Sequence, residues 1–265
     1  MIAGVKRLAE SFLFSAGQYT VLNQTPSSDV RALMSRLRPL DCGFDLIRIG
    51  GAGDGGYLVP GDLEGIEYCF SPGVNQIADF ENQLADRHIT SFLADYSVDR
   101  PPIERPEFIF DKKYLGPCDG EKFITLSSWK NKYLKDYSKD LLLQMDIEGF
   151  EYEVILSTPE ALLDQFRIII VEFHSLQKLF DPFAFKVISS TFDKLLNSFY
   201  VSHIHPNNFP GTFRRGDLVV PRDMEFTFIN KKHVKSTKPQ VKFPHPLDQD
   251  NTAKKTLVLP NCWFS

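Results

Sequence analysis

The chain has no C-x-x-C pair: its four cysteines, Cys42, Cys69, Cys118 and Cys262, are scattered. That excludes a zinc knuckle and a disulfide scaffold, and it fits a reducing, cytoplasmic setting. No run approaches the ~18 apolar residues of a membrane-spanning helix, so no membrane span is expected. Basic charge is not in excess either, since 30 Lys and Arg face 34 Asp and Glu, a net charge of −4. Nucleic acid, which calls for a basic face, is therefore not an expected partner. The segment Met1–Leu22 is interrupted by Lys6, Arg7 and Glu10 and makes a poor signal peptide. Val5, Leu8, Phe12 and Leu13 instead mark one helical face, which predicts a helix packed on the body. No internal repeat divides the chain. Its 265 residues are enough for one large domain with appendages, and the 23 phenylalanines read as core.

What is present is an alternation of strand and helix signals from residue 44 onward, which implies βαβ units. Residues 1–43 read as an N-terminal helical extension of two helices, broken by the turn-like Gln24-Thr25-Pro26-Ser27-Ser28. The spacing predicts strands over Glu67–Ser71, Ser91–Ala94, Leu141–Met145, Arg167–Phe173 and Tyr200–His205. Weaker strand signals cover Phe108–Phe110 and Phe123–Leu126. A helix is expected over Ala78–Arg87 with Phe80, Leu84 and His88 inward, and others over Glu151–Leu156 and from Asp181-Pro182 to Ser198. Ser157-Thr158-Pro159-Glu160 reads as a capping box that starts a further helix. Gly216–Val220 and Glu225–Ile229 read as a closing antiparallel pair, and residues 231–265 as a polar, proline-bearing tail packed on the domain.

The strands end in functional side chains. Leu141-Leu142-Leu143-Gln144-Met145 is a strand buried on both faces that stops at Asp146-Ile147-Glu148-Gly149. The earlier strands end at Ser71-Pro72-Gly73-Val74-Asn75 and at Asp95, the later ones at Glu172-Phe173-His174 and His203-Ile204-His205. In a parallel sheet these ends converge along one edge, the edge where ligands bind. Gly73 allows a ligand to approach the backbone, and Asp95, 22 residues on, can accept both ribose hydroxyls. The second and third glycines that a pyrophosphate needs are absent, which favours S-adenosylmethionine over NAD. Gly51-Ala52-Gly53-Asp54-Gly55-Gly56 matches G-x-G-x-x-G literally, but Tyr57-Leu58-Val59-Pro60 cannot open a helix. A glycine-rich hairpin is expected there, with Asp54, Gly55, Gly56 and Tyr57 placed to pack against the methionine end of the cofactor.

In order and spacing these motifs resemble the FkbM-type S-adenosylmethionine-dependent methyltransferases. The matching residues are Arg48-Ile49-Gly50 with Asp54-Gly55-Gly56-Tyr57, Ser71–Asn75 with Phe80-Glu81, and Ala94-Asp95. Met145–Glu151, Val171–His174 and His203–Asn208 complete the set, so that the resemblance spans residues 44–230. It implies a Rossmann-like α/β fold: a seven-stranded, mostly parallel sheet of order 3-2-1-4-5-7-6 with helices on both faces. It also implies methyl transfer, commonly to a hydroxyl of a sugar or secondary metabolite, so the expected partner is a small-molecule or glycan acceptor. Gly73, Asn75, Glu81 and Asp95 would then hold the cofactor together with the Asp54–Tyr57 loop. Asp146 and Glu148 would lie at the reacting centre, with His174 or His205 as general base. A divalent metal held by the clustered carboxylates and histidines is a less favoured expectation. The alternatives are a nicotinamide-dependent oxidoreductase and a non-catalytic nucleoside-binding domain of the same fold.

Overall fold

The computed structural model describes residues 23–265, so the helix expected within Met1–Leu22 lies outside the described residues. The first described helix, α1 (Ser27–Arg36), buries Val30, Leu33 and Met34. In chain order follow β1 (Leu40–Asp41), β2 (Leu46–Ile49), β3 (Tyr57–Pro60), β4 (Tyr68–Pro72), α2 (Asp79–Ala85), β5 (Thr90–Ala94) and β6 (Phe108–Asp111). Then come β7 (Tyr114–Leu115), β8 (Phe123–Ile124), α3 (Leu126–Leu134), β9 (Leu141–Met145), α4 (Glu151–Ser157), α5 (Glu160–Leu163) and β10 (Phe166–Phe173). The chain closes with α6 (Pro182–Ser198), β11 (Phe199–Pro206), β12 (Thr212–Arg215), β13 (Leu218–Pro221), β14 (Met224–Asn230) and β15 (Lys238–Pro239).

Seven strands form one sheet in the order β6-β5-β4-β9-β10-β14-β11, which is the expected 3-2-1-4-5-7-6. Neighbours from β6 to β10 run parallel, and β14 is antiparallel to both β10 and β11. Side chains alternate between two faces with a period of two. Leu141, Leu143 and Met145 of β9 join Ile169, Val171 and Phe173 of β10 in a core with α4 and α6. Leu142, Ile168 and Ile170 face the other way, against Phe80 and Leu84 of α2 and Tyr57 and Val59 of β3. Each such burial contributes about 1.5–3 kcal/mol, which is why both faces are covered. Helices cover both, and on the second face the β2–β3 hairpin shares the cover. Thr227 Oγ1 ties β14 to that hairpin, donating to the Leu58 carbonyl at 2.7 Å.

The second face turns polar where its strands reach the carboxyl edge of the parallel sheet. Gln144 and Asp146 continue the row of Leu142, and Glu172 continues that of Ile168 and Ile170. Glu225 of β14 lies opposite Glu172, and His205 of β11 lies opposite Glu225. Four adjacent strands thus carry Asp146, Glu172, Glu225 and His205 side by side.

Several local expectations are corrected. Pro159 is the N-cap of α5, makes no side-chain cap, and the helix is a single turn, so no capping box forms. His88 is exposed with φ +60°, because α2 ends at Ala85 and the chain turns there into β5. Phe123–Ile124 pairs in parallel with Tyr114–Leu115, and Leu126 opens α3 instead of extending that strand. The Gly216–Val220 and Glu225–Ile229 segments do not pair with each other. β13 pairs with β12, while β14 enters the main sheet. The link between them is anchored elsewhere: Leu176 N–H donates to Arg222 O and Ser175 N–H to the Asp223 carboxylate. The C-terminal segment lies along the body. β15 pairs with β1, and Trp263 is fully buried with Nε1–H donating to Val219 O at 3.0 Å.

Candidate active site

A cavity of about 570 Å³ opens at the carboxyl ends of β4, β5 and β9. Of the residues expected to bind a cofactor, Asp54, Gly55, Tyr57, Gly73, Asn75, Glu81 and Asp95 line it; Asp146 and Glu148 line it too. Gly56 is not among the lining residues. A Cβ there would sit 2.3 Å from Gly51 O and 2.5 Å from the Arg48 guanidinium, so glycine is required by the loop's own packing. His205 is also elsewhere. It lines a separate cavity of about 210 Å³ with Asp248 of the C-terminal segment.

Gly73 is held by a closer constraint than ligand access. Its φ is +89°, and a Cβ would come within 1.8 Å of Asp146 O. The turn after β4 therefore touches the end of β9, which brings the two motifs together. Asp95, 5% exposed, fixes the same turn: Oδ2 accepts from Asn75 N–H at 2.9 Å, while Oδ1 accepts from Ser97 N–H and Oγ–H at 2.7 Å each. The hairpin loop is pinned over the cavity from two sides. Arg48 donates to Gly51 O and Gly53 O at 2.9 Å each, and the Gln83 amide of α2 bridges Gly50 N–H and O.

Beneath the turn runs a buried polar chain. Glu81, 4% exposed, meets Ser71 Oγ; Ser71 Oγ lies 2.6 Å from Gln144 Oε1; Gln144 Nε2 donates to Tyr57 Oη at 3.0 Å. Burial drives the Glu81 carboxyl up to about 7 against the opposing hydrogen bond from Ser71.

Glu151 organises the turn beyond β9. Its fully buried Oε1 accepts from Ile147 N–H at 3.1 Å, Gly149 N–H at 3.0 Å and His174 Nδ1–H at 3.0 Å. Tyr152 Oη–H donates to His174 O at 2.8 Å, which fixes the ring's backbone as well. His174 Nε2 then points at Asp146 Oδ1, 3.7 Å away, and Glu148 Oε2, 3.6 Å away. Burial opposes a charge on His174. The Glu151 hydrogen bond and the charges of Glu151, Glu172 and Asp146 outweigh it and push the imidazole up to about 10. Asp146 is raised to about 7, mainly by burial and with help from Glu148, Glu151 and Asp54, while His174 pulls the other way.

One ligand atom each from Asp54, Asp146 and Glu172 lie within 4.8 Å of one another, and so do those of Asp146, Glu148 and His174. Glu172 is buried and accepts from Asn207 Nδ2–H at 2.8 Å; Glu225 accepts from Asn251 Nδ2–H at 2.7 Å. Burial raises both carboxyls. On the far side His203 Nε2 and His205 Nδ1 lie 2.8 and 3.6 Å from Asp248 Oδ1. That histidine pair holds the C-terminal segment to β11. An aromatic wall, not foreseen from the sequence, also borders the cavity. Tyr114 and Phe123 are 5.7 Å apart between ring centroids, and Phe123 and Phe150 likewise.

No helix of the described residues is long and apolar enough to cross a membrane. No curated protein sequence matches the chain. Among solved structures, the fibrillarin/Nop5p complex is similar over 63% of this chain and 74% of that one, at 13% identity and TM-score 0.37. A 16S rRNA (adenine(1408)-N(1))-methyltransferase variant from Catenulisporales acidiphilia is similar over 69% of this chain and 98% of that one, at 8% identity and TM-score 0.30. Residues 124–199 match the methyltransferase FkbM domain. That segment contains Asp146, Glu148, Glu151 and His174, and its match supports the FkbM-type methyltransferases as the family of this chain.

Proposed function

We propose that the protein transfers the methyl group of S-adenosylmethionine to a hydroxyl of a sugar or secondary metabolite. The observation that carries this reading is the cavity itself. It joins a glycine turn (Gly73), a ribose-accepting acid (Asp95) and a carboxyl poised near neutrality (Asp146). Its volume of about 570 Å³ lies within the range usual for small-molecule sites, roughly 300–1,000 Å³. In fit, the residues suit such a cofactor. The turn at Gly73 exposes backbone without a side chain, Asp95 keeps one lone pair on Oδ2 beside its three hydrogen bonds, and the aromatic wall offers flat faces to a base or a sugar. Asp54, Gly55, Tyr57 and Asn75 would bound the methionine end, with Glu81 beneath it. The bound cofactor supplies an electrophilic methyl on a sulfonium.

Asp146 and His174 divide the remaining work. A base near pH 7 can take the acceptor's hydroxyl proton as the new C–O bond forms, and Asp146 stands in that range. His174, which its carboxylate neighbours raise well above the ordinary imidazole range, takes a different part in this reading. It acts as a fixed positive charge that keeps Asp146 ionised often enough to work, and Glu151 holds it there. Glu148, mostly exposed, lies where a proton leaves to solvent. His205 serves the packing of the C-terminal segment through Asp248 in this reading. A labelled methyl donor offered with a panel of glycans and hydroxylated metabolites tests the proposal. Label transferred to a hydroxyl supports it; label on nitrogen or carbon, or none on any acceptor, rejects the O-methyl reading.

A second reading adds a divalent cation at Asp146. The two oxygen-rich triads that share this residue favour it. Activity that survives chelator unchanged removes it.

A further inference from the structure

The titratable side chains on the cavity wall are acids. Asp54, Glu81, Asp95, Asp146 and Glu148 line it, and among the described residues no lysine, arginine or histidine does. Cations bordering the site are engaged elsewhere. The Arg48 guanidinium donates to Gly51 O and Gly53 O, and His174 is enclosed by Glu151, Asp146 and Glu148 at 3.0, 3.7 and 3.6 Å. Lys112 pairs with Asp99, and both it and Lys122 lie over the Tyr96 ring, 5.8 and 5.2 Å from its centroid. At the mouth the wall turns apolar. Ile77, Tyr114 and Phe150 line the cavity and are 42%, 38% and 41% exposed, three of the nine large apolar side chains left exposed among the described residues. They come from three separate segments, just before α2, in β7 and just before α4, so their gathering here is not the property of one loop. Apolar surface left open beside a polar cleft marks a place where an apolar face docks.

We propose that the acceptor is an uncharged hydroxyl compound with an apolar face, of the aryl glycoside kind, and that phosphorylated and nucleotide-linked sugars are refused. The inference rests on the methyl-transfer reading above and narrows its acceptor; the transfer step itself is unchanged. The acceptor hydroxyl has to reach Asp146, which is mostly buried, while the rest of the molecule leaves past Glu148, which is mostly exposed, and Phe150. A phosphate on that path lies among carboxylates with no side-chain cation free to pair with it. Like charges a few ångströms apart in such a cleft weaken binding by about tenfold or more. An apolar face laid on Phe150 and its neighbours at the mouth gains instead, because both surfaces leave water together. A free sugar meets neither effect and stands between the two.

Matched acceptor sets read this directly: the free sugar, its phenyl glycoside and its 1-phosphate, for glucose, galactose, mannose and rhamnose, each offered with labelled S-adenosylmethionine. The phenyl glycosides should show a kcat/KM roughly tenfold above the free sugars. The 1-phosphates should fall about tenfold or more below the free sugars at low salt, a gap that narrows in about 0.5 M salt. Phe150→Ala should raise KM for the phenyl glycosides about tenfold and for the free sugars less. A 1-phosphate or a nucleotide sugar labelled as well as the free sugar overturns the inference and leaves the methyl-transfer reading standing. So does a phenyl glycoside no better than the free sugar, or S-adenosylhomocysteine that binds while no member of any set is labelled. If Phe150→Ala weakens S-adenosylhomocysteine and leaves the phenyl preference intact, the mouth covers the cofactor and the inference is wrong. If S-adenosylhomocysteine does not bind at all, both readings fall. The wild-type ranking of acceptors decides the matter even if the variant fails to fold.

Discussion

Glu81→Gln should make the empty protein more stable above neutral pH, although it alters a buried side chain. Glu81 is 4% exposed and held at about 7, against an ordinary value of 4.5. The folded protein thus keeps a proton that the unfolded chain has already lost. Folding stability from this group is fully present below pH 4.5, declines as pH rises, and is gone above about 7. At about 1.4 kcal/mol per pH unit the loss by pH 8 is roughly 3 kcal/mol. Glutamine matches the protonated carboxyl in shape and can still donate to Ser71, so it escapes the loss. Urea unfolding of both proteins at pH 4.5 and pH 8 measures the difference. Equal stability is expected at pH 4.5, and a gain of about 2–3 kcal/mol for the variant at pH 8, or about 5–10 °C in Tm. A variant less stable than wild type at pH 8, or a gain independent of pH, would refute the reasoning.

Other perturbations probe the rest of the site. Gly73→Ala should cost about 3–5 kcal/mol, because a Cβ there meets Asp146 O at 1.8 Å on a backbone with φ +89°; urea unfolding that matches wild type would show that the two strand ends are not in contact. Turnover should rise with pH through about 7 as Asp146 ionises, and Asp146→Asn should lower it by about 10²–10⁴-fold and flatten that limb. A pH–rate profile that Asp146→Asn leaves unchanged would exclude Asp146 as the base. Glu151→Gln should move the acid limb upward, since His174 then loses the partner that keeps it charged. The imidazole's shift in an NMR titration follows the change, and a His174 that stays protonated through pH 8 would contradict it.

Much of the fold could be read from the sequence because the sheet's centre is buried on both faces. The apolar runs of β9 and β10 read as strands covered on both faces, they pair in parallel, and each run ends at the residues that line the edge. What escaped the reading depends on contacts distant in sequence. Glu151 looks like an ordinary acid in the first turn of a helix. Only the proximity of β10 makes it the acceptor for His174 and for the 147–149 turn. His174 and His205 look alike as strand-end histidines, yet one faces Asp146 and the other Asp248. α3 carries a local signal of its own: Thr125 caps it by accepting from Ser128 N–H, and Leu126, Trp129 and Leu134 are its buried side. The tripeptide Pro221-Arg222-Asp223 between β13 and β14 has the composition of a hairpin turn. It is instead bound to Leu176 and Ser175, which steers β14 between β10 and β11.

The central claim is that the edge cavity between Gly73, Asp95 and Asp146 takes S-adenosylmethionine. Calorimetric titration of the protein with S-adenosylhomocysteine and, separately, with NAD tests it most directly. Tight binding of S-adenosylhomocysteine, none of NAD, and a loss of that binding in Asp95→Ala is the expected result. Binding of NAD without S-adenosylhomocysteine would contradict the account and return the site to nicotinamide chemistry.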